Sequence, residues 1–328
     1  MYSILNYQYR GESNNEFPVI DNRIISSVFN NKIRAIDIGV INHITDINQY
    51  LKNYYFKIND NQSIIGTAYT NEYYKNLYLT QFLIGRFLYF ISFVVHRILP
   101  RMGGVWKKIY FTLYKGKHQR LSKAEVIGRI IKNGFKVEEI EERDGIIHFY
   151  ATKNKIHPDN RIVSEGLIFK MIRTGQNGKP ITVYKFRTMH PYSEYVQDYI
   201  KETNGLESSG KYKNDFRVTS WGRVLRKCWI DELPMIFNLL KGDIKLIGVR
   251  PISFSYLKLY PLEFSNFRNN FKPGLLPPFY ADIPKNFEEI VSSEKEYLKK
   301  YQQDPFLTDL IYTGKILFNI FIKKSRSK

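Results

Sequence analysis

Arg226–Pro251 reads RKCWIDELPMIFNLLKGDIKLIGVRP. Two adjacent acids, Asp231 and Glu232, head an apolar run in basic surroundings. Leu233, Ile236, Phe237 and Leu240 recur at i, i+3, i+4, i+7, which predicts a one-faced amphipathic helix. Gly242 ends it. Asp231 suits the N-cap, and Pro234 falls in the first turn, where proline is tolerated. Both acids then meet the positive end of the helix dipole, which would hold them ionised. Ordinary capping, worth about 1 kcal/mol, is the plain explanation of such a pair taken alone.

The neighbouring cations add a second explanation. Upstream stand Lys185 and Arg187 in YKFRTM, Arg217 in NDFRVT, and Arg226; downstream stands Arg250 in GVRP. Arginine clamps phosphate through two parallel hydrogen bonds. A carboxylate pair can hold Mg²⁺, which also binds phosphate oxygens. Either acid can instead attack phosphorus and form an acyl phosphate. Cations around carboxylates are what phosphoryl transfer requires, because its catalysis is positioning and charge neutralisation. A nucleic-acid groove would supply the arginines, but not two acids at its centre.

The whole chain sets outer bounds. Its 328 residues suggest about two domains, and 43% apolar with 25% charged residues is a globular composition. The net charge is +19, of which residues 1–100 contribute only +2 and the rest +17. Such a surface expects an anionic partner. Cys228 is the sole cysteine, which excludes an internal disulfide and a thiolate zinc site and fits a reducing compartment. The six histidines show no metal-ligand spacing. The start, MYSILNYQYRGESNNEF, lacks a signal-peptide pattern. No apolar run reaches the ~18 residues of a spanning helix. Phe82–Met102 comes partway, and reads either as a buried helix ending near Pro100 or as an interfacial helix. In the second case Arg86 and Arg97, three turns apart on one face, snorkel to headgroups.

The first part alternates strand and helix signals. Ile33–Ile41 and Ser63–Tyr69 read as strands, with helical spacing over Asn42–Tyr55 between them. Ser122 and Glu125 make a capping box for a helix that Gly134 stops. Phe135–Glu141 and Ile146–Thr152 flank Asp144-Gly145, a hairpin signal. The polar stretch Lys153–Glu165 marks a boundary, giving domains over 1–155 and 156–328. The tail, Phe306–Lys328, reads either as an amphipathic helix with a basic end or as a docked helix.

Two resemblances follow. The first domain, through its order of elements and through LSKAEVIGRIIKNGFKVEEI, resembles the later half of a class I methyltransferase, a Rossmann-like partial domain. The glycine-rich cofactor loop of such enzymes is missing. A structural or partner-binding remnant is therefore expected in place of an active methyltransferase.

From about Gly166 onward the chain resembles the bacterial sugar transferases, the monotopic polyprenyl-phosphate phosphoglycosyltransferases. The likeness is carried by GLIFKMIRTGQNGKPITVYKFRTM, NDFRVTSWGRVLRKCWIDELPMIFNLLKGD and IKLIGVRP. It implies a small α/β membrane-associated catalytic domain on the cytoplasmic face of the bacterial inner membrane, monotopic or peripheral. It implies a UDP-sugar donor, an undecaprenyl phosphate acceptor and UMP as leaving product, initiating surface polysaccharide synthesis. Asp231 matches the nucleophile that forms an aspartyl-phosphosugar, and Glu232 the residue associated with Mg²⁺. Lys185, Arg187, Arg217, Arg226 and Arg250 fall to substrate binding, and no nucleic-acid partner is expected.

Three departures accompany the likeness. The family's Gly-Pro-Arg-Pro reads Gly248-Val249-Arg250-Pro251 here. Its Pro-Gly-Ile-Thr-Gly reads Pro273-Gly274-Leu275-Leu276-Pro277, and Lys285 is the nearest substitute for an arginine beyond it. The re-entrant helix the family carries just before its catalytic domain has no counterpart in Lys153–Glu165; Phe82–Met102, with Pro100 near its end, is the nearest substitute and lies about sixty residues earlier. Val249 and the altered loop are the arguments for an alternative, a catalytically degenerate membrane-associated scaffold or regulatory protein.

Overall fold

The computed structural model describes residues 35–60, 62–81, 84–205 and 212–321. It divides into two units. The first takes the described residues up to Val163 together with Pro191–Asp215, and the second takes Ser164–His190 and those from Phe216 on. One cut near residue 155 misses the return of Pro191–Asp215 to the first unit.

In the first unit, β1 (Ala35–Val40) and β2 (Ser63–Tyr69) pair in parallel, joined through α1 (Ile47–Lys57). The start of the first expected strand, at residues 33–34, lies outside the described residues. The Asp46 carboxylate caps α1, accepting from the Gln49 N–H at 3.0 Å. After α2 (Asn71–Gln81), α3 (Gly85–Phe93) and α4 (Val105–Tyr114) comes α5 (Lys123–Lys132), which carries the expected capping box of Ser122 and Glu125. Gly134 at φ +88 ends it and opens β3 (Phe135–Arg143). Asp144 and Gly145, both at positive φ, turn β3 back into β4 (Ile146–Lys153), as a two-residue hairpin of that composition should. The sheet order is β1-β2-β4-β3, with β4 antiparallel to both neighbours. Ile38, Leu51, Ile64, Ile127 and Phe149 are buried around it. Gly66 makes room for Phe149, whose ring would lie 2.5 Å from any Cβ there. The segment Pro191–Asp215 adds α6 (Gln197–Asn204).

The apolar segment departs from expectation. Its first two residues, Phe82 and Leu83, lie outside the described residues. After α3 the chain makes a π turn at Val94–Ile98 and a 3-10 turn at Leu99–Arg101. The π turn changes the phase of the helix, so Arg86 is exposed while Arg97 is buried. Arg97 pairs with Glu125, and Arg101 reaches the same carboxylate at 2.8 Å. Snorkelling by both arginines is thereby excluded. Among the described residues no helix is long and apolar enough to cross a membrane.

Three of the histidines meet in this unit. The His43 and His118 rings lie 5.0 Å apart and those of His96 and His118 6.2 Å. No group of three or more metal-capable side chains occurs among the described residues. Burial, with Arg120 and His118 adding to it, lowers the His96 pKa to about 4, whereas an unfolded histidine titrates near ~6.5. Between those values the unfolded chain binds more protons, so His96's contribution is intact above about pH 6.5 and lost as pH falls toward 4. Replacing His96 by glutamine should flatten the fall in urea midpoint over that window relative to the parent chain.

The second unit begins with a hairpin of β5 (Ile168–Thr174) and β6 (Pro180–Phe186), in register Phe169↔Lys185. Next come α7 (Ser220–Lys227), a 3-10 helix at Ile230–Met235 and α8 (Ile236–Leu240). A parallel pair follows, β7 (Lys245–Ile247) with β8 (Gly274–Leu276). Between them lie α9 (Phe254–Leu257) and α10 (Leu262–Asn269); after them come α11 (Phe279–Asp282), α12 (Phe287–Gln303) and α13 (Pro305–Phe321). One core joins Ile247, Val249, Phe264, Tyr297, Tyr312 and Ile316. Lys245 crosses it, donating to the Tyr297 hydroxyl at 2.8 Å and to Asp309 at 3.1 Å. The tail is a docked helix that also exposes apolar side chains. α13 docks through Tyr312 and Ile316 and leaves Phe306, Leu310, Leu317 and Phe318 exposed. Its basic end, at residues 322–328, lies outside the described residues.

Candidate active site

Trp229 decides where the acid pair sits. It is left-handed at φ +59 and starts the 3-10 helix at Ile230. Its indole stacks on Tyr280, with ring centroids 4.5 Å apart. Asp231 is therefore inside the first turn and is not the N-cap; no side-chain cap bond forms there. A six-residue 3-10 helix has little aligned dipole to offer, and burial prevails. It raises the Asp231 pKa; Lys185 and Arg226 work against it, and Glu232 with it. The expected lowering by the helix dipole is corrected accordingly.

The apolar stripe exists but points outward. Leu233, Ile236, Phe237 and Leu240 are exposed, Leu240 at 78%, while Pro234, Met235 and Asn238 are buried. Periodicity identifies a face, not the side on which the core lies. Asn238 is the residue the sequence reading missed. Its amide accepts from the Tyr184 N–H at 3.1 Å and donates to the Thr182 carbonyl at 2.6 Å and to Asp243 at 3.0 Å. It thus staples α8 to β6 one residue before Lys185. An asparagine inside an apolar helix, with an aspartate five residues on, was its only signal.

Lys185, Glu232 and Arg250 converge. Lys185 donates to Glu232 Oε1 at 2.5 Å, and Arg250 reaches the same oxygen at 3.4 Å. Arg226, on α7, donates from Nε to the Thr188 hydroxyl at 2.8 Å. Thr219 caps α7, and Gly222 lets it close on Thr188, whose carbonyl would stand 2.1 Å from a Cβ. Arg250 follows the contact of Gly248 with Gly274, where any Cβ on Gly274 would strike the Gly248 nitrogen at 2.1 Å. Val249, which stands for the family's proline, is buried in the core and accepts from the Gly274 N–H at 2.9 Å. The buried Arg268 braces the Arg250 carbonyl and pairs with Glu294 at 2.8 Å. Arg173, not singled out in the sequence, has its pKa lowered by burial and then by Arg250, so two guanidiniums are neighbours here.

Arg187 and Arg217 stand differently. Both are buried. Arg187 donates to the carbonyls of Gly166 at 2.8 Å and Ser164 at 2.6 Å and lies over the Phe169 ring. That geometry favours a role in holding the chain over one in holding phosphate. Lys285 is exposed at the start of α12, its N–H donating to Glu289. Cys228 is exposed.

Two adjacent carboxylates suit a magnesium ion that keeps waters and substrate phosphates in its other positions. Glu232 Oε1 already faces two cations, which leaves Oε2 as the oxygen open to a metal. Exposed apolar residues flank the acids, including Val224 on α7 and Leu233. Carboxylate, cations and an apolar border together suit chemistry on an anionic group carried by an apolar molecule.

The family model for bacterial sugar transferases matches residues 159–323. An uncharacterized sugar transferase of Bacillus subtilis, EpsL, is 39% identical over 136 residues, covering 41% of this chain and 58% of that protein. The galactosyl transferase CpsE of Streptococcus agalactiae is 33% identical over 138 residues, covering 41% and 30%. The undecaprenyl-phosphate galactose phosphotransferase of Salmonella typhimurium is 42% identical over 93 residues, covering 27% and 20%. The chain thus spans 58% or less of the length of each of these relatives. It belongs to the bacterial sugar transferase family.

Proposed function

We propose that the second unit transfers a phosphosugar from a UDP-sugar to undecaprenyl phosphate, at the cytoplasmic face of a bacterial inner membrane. The observation that carries this reading is the placement of Asp231 and Glu232 between the cations Lys185, Arg226 and Arg250 and the exposed stripe Leu233–Leu240. In the first half, an Asp231 carboxylate oxygen attacks the sugar-bearing phosphorus. The bond from that phosphorus to the bridging oxygen breaks, and UMP leaves with that oxygen. In the second half, a phosphate oxygen of the acceptor attacks the same phosphorus and frees Asp231, giving polyprenyl-diphospho-sugar. Lys185, Arg226 and Arg250 offset charge on the oxygens of the transferring phosphate. Burial raises the energy of the Asp231 carboxylate, which favours its attack. Glu232 would hold Mg²⁺, which when bound supplies further positive charge at the diphosphate. Arg187 is left out of the phosphate set.

For the first unit, the order of elements and the parallel pair joined to an antiparallel hairpin support a truncated methyltransferase-like domain. β1 leads directly into a 3-10 turn at Ile41–His43, so a structural or docking role suits it better than methyl transfer.

The test is UMP release by the detergent-held chain with undecaprenyl phosphate, Mg²⁺ and a panel of UDP-sugars. Sustained release with one or a few sugars, and only with acceptor present, is expected. Absence of release across the whole panel would favour the scaffold alternative.

A further inference from the structure

The first unit carries, on two consecutive helices, exposed apolar residues that the chemistry above does not use. Ile84, at the N-cap of α3, and Phe87 and Phe90 on it are each more than 60% exposed. On α4, Val105, Trp106 and Leu113 are each more than half exposed, and of that helix only Tyr110 is buried. Arg86, Lys107, Lys108 and Lys115 are exposed among them. From Tyr73 to Ala124 the chain holds ten lysines and arginines and no aspartate or glutamate.

We propose that α3 and α4 form a docking surface for an anionic lipid bilayer, lying in the headgroup region. It deepens the membrane-bound reading above, but it concerns a different unit and can fail alone. Helices of nine and ten residues are too short to span. Their exposed aromatic and aliphatic side chains suit the boundary between headgroups and acyl chains, with lysines and arginines facing lipid phosphates. A second copy of the same face would bring an acid-free basic surface against its like, which repels. Single-stranded nucleic acid could stack on Phe87, Phe90 and Trp106, but it would leave the exposed Ile84, Val105 and Leu113 without an apolar partner. Arg97 and Arg120, turned inward in this unit, take no part.

The experiment uses the full chain with Trp221→Phe and Trp229→Phe, which leaves Trp106 as the only tryptophan. Vesicles of phosphatidylcholine with or without phosphatidylglycerol carry brominated acyl chains as quenchers. The expected result is a blue shift and quenching of Trp106 with the anionic vesicles, weaker with phosphatidylcholine alone and reduced by salt. Phe90→Glu with Leu113→Glu should weaken that association by at least about tenfold. Phe90→Glu with Leu113→Glu, made in the chain that keeps Trp221 and Trp229, should retain UMP release in detergent, while Asp231→Asn should retain vesicle binding, so the two readings fail separately. Unshifted, unquenched Trp106 in a chain that still sediments with vesicles would overturn the proposal. So would the same shift produced by an oligonucleotide and not by vesicles.

Discussion

Asp231→Asn should lower UMP release by at least about 10³-fold while leaving the thermal midpoint nearly unchanged. The amide keeps the shape of the carboxylate but is no nucleophile toward phosphorus. Burial of an uncharged side chain at this position costs less than burial of the carboxylate, so the fold has no reason to suffer. Lys185→Met is the informative companion. It removes one cation from the phosphate and leaves Glu232 with Arg250 alone, and should cost about 10²–10³-fold. If Asp231→Asn keeps parent activity, Asp231 is not the nucleophile. A large fall in its midpoint would instead mark a structural role.

Glu125→Ala should destabilise the chain by about 3–5 kcal/mol, the cost of leaving buried charge without its partner. Glu125 is fully buried between Arg97 and Arg101, and its carboxylate also accepts from the Ser122 N–H at 2.8 Å in the capping box. One side chain therefore holds two cations and a helix start. A typical domain has about 5–15 kcal/mol in all, so the loss should appear as a large shift in urea midpoint. Glu125→Gln separates the contributions, because the amide oxygen can still serve the cap while the charge is gone. A loss below about 1 kcal/mol for both variants would show that the arginines find other partners.

Local signals were the legible part of the fold. The capping box at Ser122, the turn at Asp144-Gly145 and the strand Ser63–Tyr69 are each specified within a few residues, and the structure has all three. What the sequence hid was set by tertiary context. The π turn at Val94–Ile98 has no local signature, and it turned Arg97 inward to Glu125. The stripe Leu233–Leu240 was readable as a face, but only the packing of Asn238 on β6 shows that it points away from the core. The left-handed Trp229, held by Tyr280 across about fifty residues of sequence, displaced the helix start and removed Asp231 from the cap. Lys185, Glu232 and Arg250 were legible as residue types around a phosphate. Their meeting at one oxygen, and the diversion of Arg187 to backbone carbonyls, were not.

The most direct measurement is rapid-quench UMP release from the matching UDP-sugar in the absence of any polyprenyl phosphate. Attack by Asp231 predicts a burst approaching one UMP per chain, followed by a stall, with the stalled protein releasing polyprenyl-diphospho-sugar when acceptor is added. No burst without acceptor, together with normal turnover once acceptor is present, would mean direct transfer between the two substrates and would contradict the aspartyl-phosphosugar route.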